Sequence, residues 1–161
     1  MGDIESRLAS QGLVLPPPLA TVSTARLPFP MVRRSGSRLL VSGHGPQMAY
    51  GDLSPVRGKV GAQVSLEQAY ISARLVALSI LGSIKREIGE LDRVTRWTRV
   101  FGMVNAAPTF NDLPAVINGF SDLILSLYGE ERGLHVRSAV GMASLPFDIP
   151  VEVEAEVEIE I

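Results

Sequence analysis

The last eleven residues, VEVEAEVEIEI (151–161), set apolar side chains against five glutamates in strict alternation. A period of two sends those glutamates to one face of a strand, so one reading has all five in water. The other has one carboxylate at work in proton transfer. Histidine occurs only as His44 and His135, distant in sequence and without ligand spacing, so no metal site is indicated. Cysteine is absent, which excludes disulfides, thiolate nucleophiles, Cys-ligated zinc and iron–sulfur clusters. No P-loop, dinucleotide G-x-G-x-x-G, G-x-S-x-G elbow or H-E-x-x-H is present, and nothing in the residues points to a cofactor.

Cationic residues are the other chemical resource. The formal charge is −2, yet with the five terminal glutamates set aside 12 acids face 15 bases. Arg33, Arg34 and Arg38 form one local group and Arg93, Arg96 and Arg99 another, each able to attract an anion or simply to be solvated. No basic stripe with interleaved aromatics occurs, so nucleic acid is not an expected partner. Arg137, taken by itself, reads as an arginine bridging subunits through an ion pair. Ser42 ends an apolar run, as a turn residue or as a hydroxyl lining a site.

These residues need elements to hold them. With 161 residues, 46% of them hydrophobic, the chain is expected to form one domain over 1–161, with 1–25 as an N-terminal helix and extended arm. IESRLASQG (4–12) reads as a short helix closed by Gly12, and LPPPLA (15–20) as an extended stretch. SRLLVSGHGPQ (37–47) is a buried strand entering a tight loop, and 49–64 a hairpin-like loop. Ser65 with Gln68 forms a capping box for a helix that ends at Gly89. TRWTRVFGMV is rich in β-branched and aromatic residues and reads as a strand. Asp112 can cap a second amphipathic helix ending at Gly129, with Pro114 in its first turn. HVRSAVGMASL (135–145) and VEVEAEVEIEI are two strands joined through PFDIP. The order predicts an α+β fold, one sheet with two helices on one face, and oligomerisation as the cover for the other. No basic leader with an apolar core and no stretch of about 18 uncharged apolar residues occurs. The expected location is cytoplasmic.

Three segments, in this order, resemble the Rid (YjgF, L-PSP) family of reactive imine and enamine deaminases. LLVSGHGPQ is similar to the family's strand and SGQ-x-P loop, and RVFGMVNAAPTF with VINGFSDL to its central strand and second helix. HVRSAVGMASLPFDIPVEVEAEV resembles its R-S-x-V, LP and VEIEA signature. The match covers most of residues 29 to 158, and the long N-terminal segment looks like that of a subgroup with an extended N-terminus. The resemblance implies a chorismate-mutase-like homotrimer with clefts between neighbouring subunits, needing no cofactor or metal. It implies that Arg137 grips the carboxylate of a small ligand and that Glu152 holds water or passes the proton in imine hydrolysis. Ser42 and Gly43 would line the same cleft, and Asn118 stands where the family often has a polar cleft residue. Phe29 replaces a common tyrosine, Ala139 replaces a cysteine found in many relatives, and His44 replaces the glutamine after SG, adding a titratable group to the cleft rim. Glu152 is expected near Arg137 in the adjacent strand. The function implied is hydrolytic deamination of 2-imino or enamino acids. Alternatives are a small-molecule-binding or regulatory trimer without turnover and the endoribonuclease or translation-inhibiting activity behind the L-PSP label.

Overall fold

The computed structural model describes residues 2–20 and 27–161; residues 21–25 of the expected arm lie outside them. The elements are α1 (Asp3–Ser10), β1 (Val32–Ser35), β2 (Arg38–His44), α2 (Leu66–Ile88), β3 (Val94–Asn105), α3 (Leu113–Gly133), β4 (Val136–Met142) and β5 (Val151–Ile159). They form a mixed α+β structure whose single sheet has the order β1-β2-β5-β3-β4. β3 and β4 are parallel, joined through α3, and the other neighbouring strands of this order pair antiparallel.

The alternation in β5 sorts its residues as expected. Val151, Val153, Ala155, Val157 and Ile159 are buried under the helices, while Glu152, Glu154, Glu156 and Glu158 face the open side. α2 begins at the expected capping box: Ser65 N–H donates to Gln68 Oε1 (2.9 Å) and Gln68 N–H to Ser65 Oγ (3.1 Å). Its face of Ala69, Ala73, Val76, Ala77 and Ile80 is fully buried. The small residues let α3 approach closely enough that a methyl at Gly119 would overlap the Tyr70 carbonyl. Ile117, Phe120, Leu123 and Ile124 of α3 complete the core, with Trp97 of β3 edge-on to Phe120 and Tyr128 (centroids 5.8 and 5.9 Å).

Several boundaries differ from expectation. β1 is an additional strand: it pairs with β2 across Gly36 and Ser37, Gly36 taking φ +62°. Its VRRS has one buried residue and three exposed ones, so only pairing with β2 defines it as a strand. The helix layer holds a third member, since α1 buries Ile4 and Leu8 and its Glu5 accepts from Lys85 Nζ (2.7 Å) and Leu91 N–H (3.0 Å). The last helix continues past Gly129, a non-helical residue at φ 70°, to Gly133, and Asp112 precedes it without a side-chain cap bond. Among the described residues no helix is long and apolar enough to cross a membrane.

Candidate active site

Glu152 sits on the open face of the sheet beside Met103 of β3. Its neighbour on the other side is a bulge in β2: Val41 pairs with Ala155 and His44 with Val153, so Ser42 and Gly43 together oppose Glu154. A bulge re-aims the chain locally, and here it brings backbone against a side chain. A methyl at Gly43 would overlap Glu152 Oε1, so glycine is what lets the carboxylate lie there. Glu152 is half-buried, and no described residue donates a hydrogen bond to it. Desolvation first, then the charge of Glu154, raises its pKa above the ordinary carboxylate value.

Ser42 spends its proton on the Pro30 carbonyl (2.8 Å), and its N–H donates to Met31 O (2.9 Å). Its oxygen keeps acceptor capacity for an N–H. Ser42 and Pro30 line a depression of about 350 Å³ on the open face, together with Arg33, Arg99, Phe101 and Glu154. One member of each arginine group thus reaches the same hollow, from β1 and from β3. Phe29, 50% exposed, precedes Pro30.

His44 is placed differently from the rim position expected of it. It pairs with Val153 on the helix face and is 3% exposed. Its Nδ1 lies 2.6 Å from the Ser42 carbonyl, which can only accept, so Nδ1 carries the hydrogen and Nε2 accepts from the Ser83 hydroxyl (2.8 Å). Burial, together with the Arg86 charge, drops its pKa to about 4. His44 is a neutral prop beneath the bulge; the extra residue there turns it inward while Glu152 stays outward.

Arg137 is also displaced from expectation. β4 pairs with β3, not with β5, and Arg137 is level with Val100, whereas Glu152 is level with Met103. Val100 and Ala155 opposite it are core residues, so Arg137 leans to the helix side and Glu152 to the open side. Two inter-strand spacings of about 4.8 Å and the sheet itself separate them. Within one chain they do not meet.

What Arg137 meets is a stripe of α3. Nη1 donates to Ser121 Oγ (2.9 Å), and Nη2 to Asn118 Oδ1 (2.6 Å) and the Pro114 carbonyl (3.3 Å). Residues 114, 118 and 121 recur at i, i+4 and i+7 on one helical face. A guanidinium has five N–H donors, so one on Nη1 and the one on Nε have no partner among the described residues. Ala139, two residues along, lies on the same side beside Gly102 and packs against the edge of the core. Asn118 and Arg137 are therefore brought together as the resemblance implied. Ser121 and His135 behind them were missed; the trace in sequence was that Ser121 follows Asn118 at helical spacing, a second polar residue on one face.

Comparison with known proteins agrees with this architecture. Residues 5–153 match the family model described as "YjgF/chorismate mutase-like, putative endoribonuclease". Protein TCP17 of Trypanosoma cruzi is 42% identical over 125 residues, covering 78% of this chain and 77% of that protein. The Atu1372 protein of Agrobacterium tumefaciens superposes with a TM-score of 0.87 at 38% identity, over 99% of this chain and 93% of that one. A Shewanella oneidensis protein described as "a putative endoribonuclease" also gives 0.87, at 29% identity over 98% of this chain and all of that one. With a matching sheet, matching helices and a family model spanning nearly the whole length, the chain belongs to the YjgF/Rid family and has its chorismate-mutase-like fold.

Proposed function

We propose that the chain hydrolyses reactive 2-imino or enamino acids to the 2-oxo acid and ammonia, in clefts between the subunits of a homotrimer. The observation that carries this reading is Glu152, a half-buried carboxylate of raised pKa pressed against a bulge glycine, with no described donor or cation to neutralise it. Such a group suits a general base that must also act as acid near neutral pH. Arg137, with two N–H groups that no described residue accepts, is the complementary feature on the other side of the sheet. Because the two cannot meet in one chain, a substrate touching both lies where one subunit's Ser42, Gly43 and Glu152 face a neighbour's Arg137. Burial of the open sheet face by neighbouring copies fits the same assembly.

The chemistry rests on charge and proton positions. The substrate carboxylate rests on Arg137, and its iminium N–H donates to Ser42 Oγ. Glu152 takes a proton from water as the oxygen bonds to the C=N carbon, giving a carbinolamine. The protonated Glu152 returns that proton to nitrogen. The C–N bond breaks as the hydroxyl proton passes back to Glu152, and ammonia leaves as ammonium with that proton. The iminium carbon is already electrophilic, so the protein has only to orient water and move protons. Phe29 carries no hydroxyl and Ala139 no thiol, so neither supplies a proton to the reaction.

Generating 2-iminobutyrate in situ with an amino-acid oxidase, and trapping the residual imine with semicarbazide, tests the proposal. The wild type should lower the trapped fraction, and Glu152→Gln should reduce kcat by about 10²- to 10⁴-fold. Arg137→Ala should act chiefly on KM. No acceleration by the wild type with several imino acids would remove the deaminase reading and leave a binding trimer.

A further inference from the structure

The chain of hydrogen bonds behind Arg137 has a fixed polarity. His135 Nδ1 is 2.7 Å from the Gly133 carbonyl, and since a carbonyl only accepts, Nδ1 bears the hydrogen. The neutral ring then offers Nε2 as a lone pair, 3.0 Å from Ser121 Oγ. Ser121 must donate its proton there, which turns its own lone pairs toward Arg137 Nη1 at 2.9 Å. Burial, and then the charge of Arg137, lower the His135 pKa and keep the ring in this neutral form. The Phe120 ring closes the back of the imidazole edge-on, centroids 6.3 Å apart. Among the described residues, Arg137 is the charged group whose field acts on this histidine.

The same order of groups occurs a second time in the molecule. Arg86 Nη2 donates to Ser83 Oγ (2.9 Å), Ser83 to His44 Nε2 (2.8 Å), and His44 Nδ1 to the Ser42 carbonyl (2.6 Å). There it props the bulge that receives Glu152; at His135 it props the arginine.

We propose that Ser121 and His135 are positioning residues for ligand binding: the neutral imidazole orients the Ser121 hydroxyl as an acceptor, which fixes the plane of the Arg137 guanidinium before a carboxylate arrives. An arginine held in one rotamer loses less conformational freedom when it binds, so the relay contributes to affinity rather than to the chemical step. The inference rests on the reading above that Arg137 takes the ligand's carboxylate.

Binding of 2-oxobutyrate to the full chain, measured by titration calorimetry, tests it without requiring turnover. Ser121→Ala and His135→Leu should each weaken binding by about tenfold, and Arg137→Ala should weaken it further. His135→Gln, whose amide oxygen can accept the Ser121 hydroxyl, should stay within about twofold of wild type, a rescue that general loss of packing does not produce. In turnover with 2-iminobutyrate the same losses should fall on KM with kcat nearly unchanged. Arg137→Ala weakening binding while Ser121→Ala and His135→Leu do not would overturn the relay alone. Unchanged binding in Arg137→Ala would overturn the assignment of Arg137 and the relay with it. The expected binding pattern in a protein that fails to hydrolyse any imine would uphold the relay and defeat only the deaminase reading.

Discussion

Glu152 and His44 flank one bulge in opposite conditions: the carboxylate is kept basic on the open face, and the imidazole is kept neutral beneath it. The folded His44 titrates at about 4 rather than 6.5. Between those values the unfolded chain binds a proton that the folded chain refuses, so stability is complete above the upper value and declines as pH falls toward the lower. The shift corresponds to a loss of about 3 kcal/mol. Urea unfolding across that range should show this decline in wild type and a shallower one in His44→Gln; equal slopes would refute the assignment. Glu154→Gln should act oppositely to burial, lowering the Glu152 pKa by removing a neighbouring negative charge. The acid limb of kcat/KM should then move to lower pH, and an unmoved limb would show that Glu152 is not the titrating group.

At the scale of elements, two glycines set distances that side chains cannot. Gly43 gives Glu152 its place, and Gly119 lets α3 lie on the Tyr70 carbonyl of α2. Gly119→Ala forces those helices apart and should cost about 1–3 kcal/mol, read as a shift in the urea midpoint with an unchanged slope. Gly43→Ala should leave the midpoint nearer wild type while depressing kcat, because the atom it meets is a movable carboxylate and not backbone. The turn before β5 is held just as firmly: Phe147 and Asp148 both take φ 57°, and Asp148 is tied by Asn105 Nδ2 to its Oδ1 (3.1 Å) and by Gly58 N–H to its carbonyl (2.8 Å). Left-handed conformations in non-glycine residues persist only where the surroundings impose them. The amphipathic helices, the capping box and the β5 alternation were legible because each arises from a local period or a local bond. β1 was not legible, since three of its four residues are polar and exposed and the pairing that makes it a strand is with another segment.

For the whole molecule, the decisive prediction concerns which chain supplies which group. Light scattering should give the mass of three chains at micromolar concentration, and a one-chain mass would end the intersubunit cleft. Complementation is sharper. Glu152→Gln and Arg137→Ala trimers should each be impaired, but co-expressed chains that assemble at random should regain about a quarter of the wild-type clefts, those pairing an intact Glu152 with a neighbour's intact Arg137. No regain in mixed trimers would mean both groups act within one chain, against the face on which each lies.

The sequence by itself determined the fold class, the two long helices, the apolar and acidic faces of β5 and, through the motif resemblance, a family that the comparisons bear out. These depend on short-range periodicity and on residues close together in the chain. Only the tertiary structure decided that β3 lies between β4 and β5, that Arg137 and Glu152 fall on opposite faces, and that the bulge buries His44. Strand order and register are set by long-range pairing, and one residue inserted in a ladder reverses the face of every later side chain in that strand, so the alternation of a single strand could not reveal them.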